Sequence, residues 1–149
     1  MPEDAQLDAW SSLVAVYQSV LHDVVRALED EAGLDSGVFS ALAYLARAEP
    51  PGRLRMSELH DLMHPRYSQP GLSRLVQRME ADGRASMLIM TRAGRARFNR
   101  ADAVYAAALR THFGRHLSAA QARTLDAALQ PVARGRAIRG AGSRTVRAG

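Results

Sequence analysis

The residues best placed to do chemistry lie in the stretch SQPGLSRLVQR, from Ser68 to Arg78. Leu72, Leu75, Val76 and Met79 recur at i, i+3, i+4 and i+7, which predicts a helix with one apolar stripe. Projected at about 100° per residue, the opposite face carries Pro70, Ser73, Arg74 and Gln77, flanked by Gln69 and Arg78. Short hydroxyl and amide side chains near a helix N-terminus, with a guanidinium one turn on, suit the base edges and phosphates of a DNA major groove. On an isolated helix the same residues would form only a solvated face, so the surrounding elements must decide between the two readings.

Those elements favour the groove. Ser68 stands where an N-cap belongs, and Pro70 falls in the first turn, where a missing N–H costs nothing. His64-Pro65-Arg66-Tyr67 breaks the chain ahead of it. Upstream, Leu59, Leu62 and Met63 give a preceding helix its own apolar stripe, and two such stripes can pack on one another. A helix, a short break and a capped, polar-faced helix make a helix-turn-helix. A short strand is expected over Arg53–Met56, a helix C-cap at Gly83, and a second strand over Ala85–Met90 from its run of Met, Leu and Ile.

Taken in order, LRMSELHDLM, LSRLVQRMEADG and RASMLIMTRAGRARF resemble the MarR-type winged helix-turn-helix transcriptional regulators, and the resemblance runs from the first helix to about residue 133. It implies a mainly α (α+β) fold with long terminal dimerisation helices and a small β wing. It also implies a homodimer with its first, fifth and sixth helices interleaved, presenting paired recognition helices to double-stranded DNA at a palindromic operator. Carried onto this sequence, the DNA-binding set is Arg66, Ser68, Gln69, Pro70, Ser73, Arg74, Gln77, Arg78 and Arg84. A repressor relieved by a small-molecule effector of unknown identity is the expected mode of action. Trp10 and Tyr17, on the first helix, border the place where the family keeps its effector cleft, although core or interface positions are the simpler reading for both.

This sequence departs from the pattern twice. The turn from Met63 to Ser68 looks about two residues longer than usual. More seriously, the helix end EADG runs straight into RASMLIMT, so a wing looks missing at Gly83-Arg84. The expectation is that a hairpin tip is absent from the sequence there, with Arg84 as the arginine of the returning strand; the alternative is a natural deletion of the wing.

Beyond the head, Leu7, Trp10, Leu13, Val14, Tyr17, Val20, Leu21, Val24, Val25 and Leu28 keep helical spacing over a length that exceeds what one small core requires. Asp35 or Ser36 should cap a helix whose Val38, Phe39, Leu42 and Leu45 are core-like. A long helix is expected to carry Phe98, Ala101, Tyr105, Leu109, Phe113 and Leu117, followed by a capping box at Ser118-Ala119-Ala120-Gln121. The expected organisation is one domain over 1–133, with a DNA-binding lobe at about 53–91, dimerisation helices at about 5–31 and 93–133, and a basic tail at 134–149.

Charge is distributed unevenly. Up to residue 82 there are 7 arginines against 13 acids, whereas from residue 83 onward 13 arginines meet only Asp102 and Asp126. A polyanion is the natural partner of such a half, and Arg92, Arg95, Arg97 and Arg100 belong to it. Every one of the 20 basic residues is arginine, which also fits a GC-rich coding bias. With 149 residues, 47% hydrophobic and 23% charged, the chain can bury one core. No run approaches the roughly 18 apolar residues of a membrane span, and MPEDAQ lacks a signal-peptide pattern, so no membrane partner and a cytoplasmic, nucleoid-associated location are expected. The absence of cysteine excludes thiol redox sensing.

Histidine and catalytic motifs add little. His60 and His64 are four apart, as are His112 and His116, a spacing that can place two imidazoles on one metal. A closed zinc site needs four ligands, and the nearby Asp61 and Asp23 are not at diagnostic spacing, so packed or interface histidines are the favoured reading and no cofactor is assigned. No P-loop, GxSxG, HExxH or glycine-rich nucleotide loop is present, which argues against an enzyme. Two competing functions remain: a helical interaction module using its basic tail on an acidic partner, and a metal-responsive regulator using the histidines.

Overall fold

In the computed structural model the chain is described over residues 3–64, 66–79, 81–84 (backbone only) and 87–135. Its contacts divide it into two compact units, Met1–His112 and Phe113–Gly149.

The first unit begins with α1, Asp4–Ala32, which ends on Gly33 in the left-handed conformation that glycine adopts without a Cβ penalty. Helix α2, Ser36–Ala46, starts at Asp35, whose carboxylate accepts hydrogen bonds from the Gly37 and Val38 N–H groups at 2.9 and 3.1 Å. Its expected core positions Val38, Phe39, Leu42 and Leu45 are all buried. Strand β1, Arg53–Arg55, leads into α3, Met56–Met63, where Glu58 reaches back to accept the Arg55 N–H at 2.9 Å. After a turn comes α4, Gln69–Gln77, then strands β2, Ala81–Arg84, and β3, Met87–Met90, and the long helix α5, Arg92–His112.

The three strands form one antiparallel sheet in the order β1-β3-β2, with Leu54 opposite Leu88 on one side and Gly83 opposite Leu88 on the other. The wing is therefore present, which corrects the expectation of a missing one. The ladder passes without a break from Gly83 to Arg84, paired with Leu88 and Met87, so these two residues are successive positions of one strand of the hairpin. Gly83 is no helix cap, and Arg84 belongs to the outgoing strand of the hairpin rather than to the returning one. Ala81-Asp82-Gly83 lacks β-propensity of its own, and its extension depends on the apolar partner strand β3. Ala85, Ser86 and the side chain of Arg84 lie outside the described residues.

The core gathers the inner faces of α2, α3 and α4, Leu88 of the sheet, and one face of α5. Leu28, Leu34, Leu42, Leu45, Leu59, Leu72 and Leu75 are its largest fully buried side chains. Phe98 of α5 stacks on Phe39 of α2 with ring centroids 5.8 Å apart, and Tyr105 lies against the same Phe39 at 4.9 Å. Arg47, at the end of α2, spans this contact from outside, with its guanidinium 5.9 Å above the Phe98 ring and 3.5 Å from Asp102. The C-terminal half of α1 joins the core through Val24 and Leu28, and Asp23 meets His112 of α5 at 3.3 Å. In contrast, no described residue of α1 before Val24 is buried.

The second unit holds a 3-10 turn, Gly114–His116, and helix α6, Ala119–Gly135. The expected capping box is formed: Gln121 N–H donates to Ser118 Oγ at 3.2 Å, and Ser118 N–H to Gln121 Oε1 at 2.9 Å. Because α5 stops at His112, Phe113 and Leu117 do not continue its apolar stripe, and His112 and His116 do not share a helix face. No helix among the described residues is long and apolar enough to cross a membrane.

Candidate nucleic-acid interface

The sequence of α4 dictates both its start and its two faces. Ser68 Oγ accepts the Gly71 N–H at 3.2 Å, satisfying one of the donors that a helix N-terminus leaves open, and Pro70 occupies the first turn. Leu72 and Leu75 point into the core and Val76 packs at its edge, while Met79 is buried just beyond the helix end. With that stripe buried, Gln69, Pro70, Ser73, Arg74, Gln77 and Arg78 are all exposed. The helix ends at Gln77, five residues before the point suggested by the sequence EADG, so it is nine residues long.

The turn between the helices is anchored to the N-terminus of α2. Arg66 Nη2 donates to Ser36 Oγ at 3.3 Å, and the Arg66 guanidinium lies 5.7 Å from the Tyr67 ring centroid. The Tyr67 hydroxyl sits against Gly37, where any Cβ would collide with it. The turn from Met63 to Ser68 thus reaches α2. Its Pro65 lies outside the described residues.

At its exit α4 is met by α5. The Arg78 N–H closes on the Leu75 carbonyl at 3.0 Å, and the Arg78 carbonyl accepts from Arg97 Nη1 at 3.3 Å. Sequence reasoning grouped Arg97 with the other basic residues of α5 and did not find this contact, which joins positions 19 apart. Arg53 and Arg55, exposed on β1, and Arg92 at the start of α5 add positive charge to the same unit.

The histidine pairs do not gather into a metal site: among the described residues no three His, Cys, Asp or Glu groups are placed to hold a metal ion. His60 and His64 have ring centroids 5.9 Å apart, and His60 Nδ1 lies 3.9 Å from Asp61. Trp10 and Tyr17 are 65% and 61% exposed on α1, together with Leu7, Leu13, Val16 and Leu21.

Family models and curated protein sequences give no match to this sequence. Solved structures do. AbsC, a MarR family transcriptional regulator from Streptomyces coelicolor, is similar with a TM-score of 0.73 at 25% identity, covering 92% of this chain and 97% of its own. A MarR family transcriptional regulator from Silicibacter pomeroyi gives a TM-score of 0.73 at 27% identity, covering 90% and 99%. A MarR family protein of Mycobacterium tuberculosis, solved in complex with DNA, gives 0.67 at 28% identity, covering 82% and 94%; it has also been solved with salicylic acid. This chain therefore has the winged helix-turn-helix fold of the MarR family, and the resemblance read from its residues extends over most of its length.

Proposed function

We propose that this protein is a DNA-binding transcription regulator, not an enzyme, that acts as a homodimer on a palindromic operator. The observation that carries the reading is α4: a helix capped at Ser68, anchored by buried Leu72 and Leu75, with every polar residue of its outer face exposed. On this reading Gln69 and Ser73 meet base edges, Arg74 donates a bidentate pair to guanine, and Arg66, Gln77 and Arg78 meet the flanking backbone. Arg84 would add a contact from the wing. The similar Mycobacterium tuberculosis protein in complex with DNA supports this assignment.

Dimerisation is supported by α1. Its outer half exposes Leu7, Trp10, Leu13, Val16, Tyr17 and Leu21, a stripe that one chain leaves uncovered, and α6 exposes Leu125 and Val132. A two-fold pair would cover such faces and set the two α4 helices about one DNA turn apart. Repression relieved by a ligand is the mode of action we assign. The salicylic acid complex of the similar mycobacterial protein makes small aromatic acids the first effectors to test, with Trp10 and Tyr17 bordering their cleft in the dimer.

The test is selection of duplexes from a random-sequence pool by the full chain, followed by a gel shift of the selected duplex against its scrambled version. Enrichment of a two-fold symmetric motif, with the scrambled duplex bound at least about a thousand-fold more weakly at physiological salt, is the expected result. Equal binding of both duplexes would instead favour an interaction module that attracts polyanions through its arginines. Salicylate and Zn²⁺ added to the complex then separate relief by an aromatic acid from relief by a metal.

A further inference from the structure

The recognition helix is short, and its two ends are held by different helices. Standing alone, nine residues make a marginal helix, and its last carbonyls need partners from outside. The Leu75 and Val76 carbonyls are taken by the Arg78 and Met79 N–H groups, each at 3.0 Å. The Arg78 carbonyl is taken by Arg97 Nη1 at 3.3 Å. A guanidinium at that end also faces the negative pole of the helix dipole, the favourable direction.

Arg97 is itself firmly based. It precedes Phe98, which is buried and stacked on Phe39 of α2, and the Arg47–Asp102 pair holds the same part of α5 to the end of α2. We propose that Arg97 is a positioning residue: held on α5, it fixes the exit of α4 by its hydrogen bond to the Arg78 carbonyl, and so sets the angle at which the reading face meets DNA. This departs from grouping Arg97 with the arginines that contact phosphate. It rests on the reading of α4 as the DNA-reading helix for its functional consequence, but not for the tie itself.

The two parts are tested separately in Arg97→Ala and Arg97→Lys. In the DNA-free protein, the Arg78 and Met79 amides should exchange about five-fold faster in Arg97→Ala, as loss of one hydrogen bond of ordinary net strength implies, while the α2 amides are unchanged; Arg97→Lys, which keeps a charged donor, should recover most of the protection. On DNA, the ratio of selected to scrambled affinity should narrow by about the same factor with the salt slope on scrambled duplex unchanged. A phosphate contact would lower the salt slope by about one on both duplexes and leave the exchange alone, and that result overturns the proposal. So do unchanged exchange at Arg78 and Met79, exchange that rises equally in α2, or faster local exchange with an unaltered affinity ratio. If wild type fails to distinguish the duplexes, the DNA-reading assignment falls, while the exchange data still decide whether Arg97 ties α4.

Discussion

The reading head and the outer half of α1 use apolar residues in opposite ways. In the head, Leu42, Leu45, Leu59, Leu72 and Leu75 are sealed by their own chain, and no described polar side chain is buried among them. In α1, Leu7, Trp10, Leu13, Val16, Tyr17 and Leu21 repeat at helical spacing with nothing of the same unit covering them. The head is therefore sealed within a single chain, with α2, α5 and the C-terminal half of α1 completing its core, whereas the stripe on α1 has its energetic purpose outside the single chain. Isolated exposed apolar side chains are ordinary; a contiguous row of them along a helix marks an interaction face.

The largest effect should come from the sealed side. Leu75→Ala removes a side chain that is 0% exposed in the middle of the head and should cost about 2–5 kcal/mol of folding stability. Urea unfolding measures it, and the loss should not depend on protein concentration. A loss below about 1 kcal/mol would mean that the head is not packed as described.

On the open side the dependence reverses. Trp10→Asp should weaken self-association by at least about 2 kcal/mol, twice represented in a two-fold interface, while changing the stability of the dilute monomer by no more than about 0.5 kcal/mol. Sedimentation across a concentration series reads the first and thermal unfolding of the dilute protein the second. Wild type that remains a folded monomer at micromolar concentration would end the comparison, because the stripe would then have no partner of its own kind.

A smaller change probes the boundary between the core and the reading face. Ser68→Ala removes the acceptor for the Gly71 N–H and should cost about 1 kcal/mol, with loss of amide protection concentrated in the first turn of α4. Uniform loss across the head would show that Ser68 supports more than the cap.

What the sequence made legible follows from how local each feature is. Caps are decided within three or four residues: Ser68 and Ser118 stand where their residue type placed them, and of the two candidates for α2 the structure selects Asp35 over Ser36. The apolar spacing of α2, α3 and α4 likewise predicted their buried faces. The wing was misread because Ala81-Asp82-Gly83 has the composition of a helix end and becomes a strand only by pairing with β3. The early stop of α5 at His112 and the Arg97 contact to Arg78 were also missed. The stop did leave a local trace, Arg110 and His112 in the last turn with Gly114 two residues on, but the apolar spacing of Phe113 and Leu117 masked it; the contact has no residue pattern of its own. The exposed face of α4 was readable as a surface, since it is what remains when the stripe is buried. Which base each side chain meets is set by the DNA, and the sequence holds no such register.

If α4 reads sequence while its flank only holds the backbone, Arg74→Ala and Arg78→Ala should differ on selected and scrambled duplexes across a salt series. Arg74→Ala should cost roughly 1–3 kcal/mol per half-site on the selected duplex and relax preference at one base pair, whereas Arg78→Ala should weaken both duplexes equally and lower the salt slope by about 1. Binding to both duplexes that neither substitution alters would contradict it, since α4 would then not be the surface that meets DNA.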